Sequence, residues 1–188
     1  MTEPLELRRR AADAFDRHVA AVRAEQWRAP TPCTEWDVRE LVNHLVVEQL
    51  WVPPLMGGAT VAEVGDRFDG DQLGDDPLAT WRASRAAADA ALAEPGALER
   101  AVHLSFGDTP GEEYCFQLTT DLLVHGWDLA RAVGDDETMD LELVQVVHER
   151  IGPQADQLAA SGLFAPPVPV GADADPATRL LALFGRRA

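Results

Sequence analysis

The chain has 188 residues, 46% of them hydrophobic, which suits one domain with a single sizeable core. Its 16 Lys and Arg stand against 32 Asp and Glu, and the formal net charge of -16 repels nucleic-acid phosphates and anionic lipid, excluding both as expected partners. The two cysteines, Cys33 and Cys115, lack the spacing of a disulfide framework or a structural zinc site, and there is neither a signal-peptide core nor an apolar run of ~20 residues, so a soluble, reducing, cytoplasmic setting is expected.

Residues 5–26 carry Leu5, Ala12, Phe15, Val19 and Val22 at near-helical spacing and are expected to form a first amphipathic helix. Pro30 and Pro32 break the pattern. Thr34 is placed to cap a second helix, with Asp37 favouring its positive end, and Pro53 and Pro54 should stop that helix at about Trp51. The Gly- and Asp-rich stretch up to Asp76 reads as a long connection with at most one short helix, suited to a lid. An alanine-rich third helix over 77–94 starts at Pro77 after Asp76 and ends at Pro95 and Gly96. AVHLSF at 101–106 is a short strand or an extended loop before the turn signal GDTPG. A fourth helix runs from about Glu112 to Val133 and closes at Gly134. The fifth, from about 141, meets Gly152 and Pro153, which should kink or split it. A Pro-rich extended tail follows, then a short helix with Asp175 and Pro176 as cap and first turn. Strand signals are too few for a sheet-based fold. The expected architecture is all-α, an antiparallel four-helix bundle with extra C-terminal helices and an extended tail. It forms a single domain over 1–188, with the bundle at about 5–160 and the tail with its short helix at about 165–188.

On the fourth helix, TDLLVHGWDLARAVG places Asp121, His125 and Asp128 on one face with Leu118, Leu122 and Leu129. A carboxylate inside an apolar stripe is unfavourable unless it is paired or bound to a cation. Asp121 and His125 are therefore either a hydrogen-bonded core pair or two ligands of a divalent metal. His44, at the edge of the stripe made by Val38, Leu41 and Leu45, could supply a third ligand from across the bundle. Glu48, one turn further, stands behind the ligands or is a solvated charge on the helix face. Asp128 either pairs with Arg131 or orients His125 from behind. His18, His103 and His148 lack partners at ligand spacing and read as surface or structural. Cys33 reads as a small semi-buried residue or as a thiol activated at a helix start. Trp36, Trp51 and Trp127 read as core or interface aromatics, or as pocket walls. GxSxG, P-loop and dinucleotide fingerprints are absent, and no catalytic residue is assigned.

The stretches TPCTEWDVRELVNHLV (31–46) and DLLVHGWDLARAVG (121–134), with the ending LLALFGRRA, resemble the actinobacterial metal-binding proteins related to the N-terminal domain of mycothiol-dependent maleylpyruvate isomerase. The resemblance spans nearly the whole chain and lies within the DinB-like superfamily. It implies a DinB-like four-helix bundle holding a divalent metal, commonly zinc or nickel, at His44, Asp121 and His125. It also implies mycothiol as cosubstrate, with a small-molecule thiol and a small electrophilic substrate as partners, and leaves a homodimer open. The isomerase has Glu where this chain has Asp121. It also has a further C-terminal domain contributing to substrate binding, in place of the last 25 or so residues here, so maleylpyruvate isomerisation itself is not expected to carry over. The expectation is a metal- and thiol-dependent transferase or isomerase, the alternative a non-catalytic binding or stress-response module with a structural metal.

Overall fold

The computed structural model describes residues 3–154, 165–171 and 173–188. They fall in two compact units, Met1–Asp135 and Asp136–Ala188. In the first, the long helices are α1 (Pro4–Ala21), α2 (Val38–Met56), α4 (Pro77–Leu92) and α5 (Gly111–Val133), joined by a 3-10 turn (Ala24–Gln26), a short α3 (Val61–Val64) and a hairpin of β1 (Ala101–Leu104) and β2 (Gly107–Pro110). Helix α1 packs on α5 and α4, and α2 packs on α4 and α5, which closes the four into a bundle. The second unit contains α6 (Leu141–Ile151), a 3-10 turn (Gly152–Gln154) and α7 (Pro176–Leu183). Here α6 packs on α7, and the tail joins α7 through Val168 N–H donating to Ala182 O at 2.9 Å. The continuation of the fifth expected helix beyond Gln154 lies outside the described residues.

Helix α1 buries Leu7, Ala11, Ala12, Phe15 and Val19, together with Arg8. Its expected outer members depart from this stripe, since Leu5 is exposed and Val22 lies beyond the helix end. Phe15 meets Trp81 of α4 edge-on at 4.7 Å. Helix α5 is buried along almost all its turns, as a helix at the centre of a bundle must be, and ends on Gly134, whose φ of 71° takes the left-handed conformation.

Two expectations for α2 are corrected. Its cap is Asp37, not Thr34: the Asp37 carboxylate accepts from Glu40 N–H at 2.9 Å while Glu40 accepts from Asp37 N–H at 2.8 Å. Thr34 lies exposed in the preceding turn, which Trp36 N–H closes on Cys33 O at 2.8 Å. Nor do Pro53 and Pro54 stop the helix. They lack donors but keep acceptors, and Gly57 and Ala59 N–H use both their carbonyls at 2.9 and 3.0 Å. The final turn is retained because Val52, Leu55 and Met56 are buried and Arg100 donates to Met56 O.

The 101–106 segment is a strand. β1 pairs antiparallel with β2 so that Val102 opposes Thr109, and Val102 enters a cluster with Leu55, Met56, Leu92 and Tyr114 at one end of the bundle. The following Gly111 starts α5 against the 97–100 segment. A Cβ there would stand 2.2 Å from Ala97 O, so only glycine permits this approach. The long connection before α4 is fastened to α2 rather than free: Asn43 donates to Gly70 O and accepts from Gln72 N–H, Arg39 grips Asp71, and Phe68 meets Trp51 edge-on.

Candidate metal centre

His44 lies two turns into α2, at the edge of a face buried through Leu41, Leu45 and Gln49. Asp121 and His125 lie one turn apart on α5, where the helical repeat puts both on the side packed against α2. The bundle brings the three together, with one donor atom of each within 4.8 Å of the others. His44 Nε2 is 2.9 Å from Asp121 Oδ2, and His125 Nε2 is 3.4 Å from Asp121 Oδ1, so each carboxylate oxygen faces one imidazole. His125 Nδ1 meets Asp128 Oδ2 at 3.0 Å; His125 is 4% exposed and Asp128 0%. Asp128 thus stands where it can orient His125, and Arg131 lies 4.3 Å over the Trp127 ring.

Trp36, from the turn before α2, covers the two imidazoles, with ring centres 4.6 Å from His44 and 5.5 Å from His125. The imidazoles meet edge-on at 5.3 Å. Helical register could not find this contact because Trp36 precedes the helix that carries His44.

Burial works to lower the pKa of His44, but the hydrogen bond and charge of Asp121, helped by Glu48, outweigh it and leave the imidazole above its ordinary value. Glu48 is half-buried rather than a solvated helix-face charge. Burial first, then the nearby negative charge of Asp121, pushes its carboxyl up to about 7, against the pull of His44. Tyr114, two turns before Asp121 on α5, is buried and also feels Glu48; desolvation first, then that carboxylate, raises its phenol. Two other histidines of this unit have partners of their own: His18 pairs with Asp135 at 2.8 Å, and His103 with Asp108 across the hairpin at 2.7 Å.

The profile of the mycothiol maleylpyruvate isomerase N-terminal domain matches residues 8–130, a span that holds His44, Asp121, His125 and Asp128. The chain belongs to that family. Over 192 aligned residues it is 34% identical to an uncharacterized protein of Mycobacterium tuberculosis (strain ATCC 25618 / H37Rv) and to its counterpart in strain CDC 1551 / Oshkosh, covering 98% of this chain and 98% of each relative. Two crystal structures of mycothiol-dependent maleylpyruvate isomerase are similar to it at 18% identity. A histidine-to-alanine mutant aligns with TM-score 0.67 over 83% of this chain and 71% of that one, and a second structure with 0.63 over 79% and 68%. These likenesses establish the helical fold, and the expected kinship with the isomerase's N-terminal domain is met.

Proposed function

We propose that this member of the maleylpyruvate isomerase N-terminal domain family binds a divalent metal through His44, Asp121 and His125 and acts with a low-molecular-weight thiol, mycothiol, on a small electrophile by transfer, addition or isomerisation. The observation that carries the reading is the convergence of two imidazole nitrogens on the two oxygens of one carboxylate. Ligands about 2.0–2.1 Å from a zinc ion in tetrahedral array stand about 3.3–3.4 Å apart, and closer in octahedral array. The imidazole nitrogens stand 2.9 and 3.4 Å from the two oxygens of Asp121, and one donor atom of each residue lies within 4.8 Å of the others, a cluster small enough for a single ion to draw together. The donor set also fits: imidazole and carboxylate suit zinc, nickel and other divalent ions. Such an ion, with positions open beyond three protein ligands, would hold the thiol as its thiolate and so supply a nucleophile at neutral pH.

The residues around the ligands support that task. Asp128 holds the proton on His125 Nδ1, which leaves the Nε2 lone pair directed at Asp121 and the space beside it. Trp36 walls one side of the two imidazoles and keeps water from that side. The family's name and its solved relatives favour mycothiol as the thiol.

The test is metal content by mass spectrometry on untagged protein, comparing wild type with His44→Ala and His125→Ala. Near-stoichiometric metal lost in both variants supports the site. No metal after reconstitution with zinc or nickel would leave Asp121 and His125 as a buried core pair. For the thiol, cobalt-substituted protein should gain thiolate charge-transfer absorption on adding a low-molecular-weight thiol, and a spectrum indifferent to every thiol would reduce the metal to a structural role.

A further inference from the structure

The two histidines of the centre are restrained by different means. His125 is oriented from behind by Asp128, a buried carboxylate 3.0 Å from Nδ1, so rotating the ring breaks a hydrogen bond in a dry environment. His44 has no such support. Its hydrogen bond to Asp121 uses Nε2, the atom directed at the ligand cluster, and its Nδ1 has no hydrogen-bond partner among the described residues. The ring torsion of histidine is broad, so a ring held only through its ligating atom is free to tilt.

The indole of Trp36 fills that gap. It lies over the His44 ring with centres 4.6 Å apart and planes tilted by 31°, and faces the His125 ring at 5.5 Å and 47°. The two imidazoles stand at 76° to each other. The three rings interlock, so that a quarter turn of His44 would drive its edge into the indole. The indole itself is carried on a braced segment. Thr31 Oγ1 reaches the carbonyls of Trp36 and Cys33 at 2.8 and 3.0 Å, and Trp36 N–H closes on Cys33 O. Val38 N–H donates to Ala29 O and Arg39 N–H to Trp27 O, both at 3.0 Å, which ties the segment to the first turn of α2. Trp36 is only half-buried, unlike Trp81, which is completely buried in the core.

We propose that Trp36 is the positioning residue for His44, holding its imidazole by stacking in the ligating orientation, as Asp128 holds His125 by a hydrogen bond. This rests on the metal reading above. It makes metal affinity depend on the flat face of residue 36 and not on its bulk.

The experiment is zinc affinity, by competition with a chromophoric chelator, for wild type, Trp36→Phe, Trp36→Leu and Trp36→Met, with far-UV circular dichroism and thermal unfolding of each metal-free protein. The Phe variant keeps a ring face and is expected to bind zinc within about 2-fold of wild type, whereas Leu and Met, of comparable bulk but without a face, weaken binding about 10-fold in folded protein. The cobalt ligand-field spectrum should shift in Leu and Met and stay unchanged in Phe. Either aliphatic variant suffices if the other fails to fold. Wild-type affinity in a folded aliphatic variant, or equal losses in Phe and Leu, would overturn the clamp while leaving the metal site standing. A wild type that binds no zinc would overturn both.

Discussion

His125 is held from behind at Nδ1, 3.0 Å from Asp128, and its Nε2 stands 3.4 Å from Asp121. Replacing Asp128 with Ala frees the tautomer and plane of that ring, and metal affinity is expected to fall about 10–100-fold. Chelator competition measures this, and unchanged affinity would deny Asp128 an orienting role. Two glycines of α5 should respond in opposite directions. A Cβ at Gly111 meets Ala97 O at 2.2 Å, so Gly111→Ala must move backbone, at an expected cost of about 3 kcal/mol or more. At Gly126 the nearest atom is Phe15 Cδ2 at 4.0 Å, so Gly126→Ala is expected to stabilise the helix by about 0.5–1 kcal/mol. Urea unfolding reads both. The Asp121, His125 and Asp128 grouping was legible because all three lie on one helix, where register fixes which side chains share a face. Glu48 was not, because one sequence cannot say whether a neighbouring helix will cover a carboxylate at the stripe's edge.

Helices α1 and α4 meet through two kinds of charge. Arg8, 1% exposed, reaches Asp89 of α4 and Gln49 of α2, and burial pulls its pKa down to about 10, so it stays charged at neutral pH. Arg8→Ala opens a cavity and strands Gln49, and is expected to cost about 3–5 kcal/mol; Arg8→Met, which refills the space, should cost much less. Equal losses by denaturant unfolding would refute that division. At the exposed edge of the same seam, Arg82 donates twice to Asp16 at 2.9 Å, and this hydrogen bond holds the Asp16 carboxyl below its ordinary value. A depressed carboxyl contributes stability above its unfolded pKa and loses it as pH falls through the folded one. Asp16→Asn should therefore cost less than about 1 kcal/mol near neutrality, with the difference from wild type vanishing in acid. A difference that instead grew on acidification would contradict the sign. At this scale the sequence read the starts of α4 and α7 and the end of α5 on Gly134, but ran α1 too far and stopped α2 too early. Asp76 and Asp175 cap α4 and α7 as expected, through local hydrogen bonds. Helix α2 runs past two prolines because burial of Val52, Leu55 and Met56 outweighs a local preference.

Across the whole molecule, the proposed metal binding would be coupled to folding. A ligand that binds only the folded chain stabilises it by about 2.7 kcal/mol at a free concentration 100 times its Kd. Chelation should thus lower the melting temperature of wild type and leave His44→Ala unmoved; an equal shift in both would place the metal elsewhere. The sequence by itself determined the helical class, the family and one half of the centre, because hydrophobic period and helical register are properties of short stretches. Only the tertiary structure decided that His44 reaches Asp121 across the bundle, that Glu48 is drawn out of water and that Trp36 lies over both imidazoles. Those relations join residues on different elements, and their distances follow from how the helices pack.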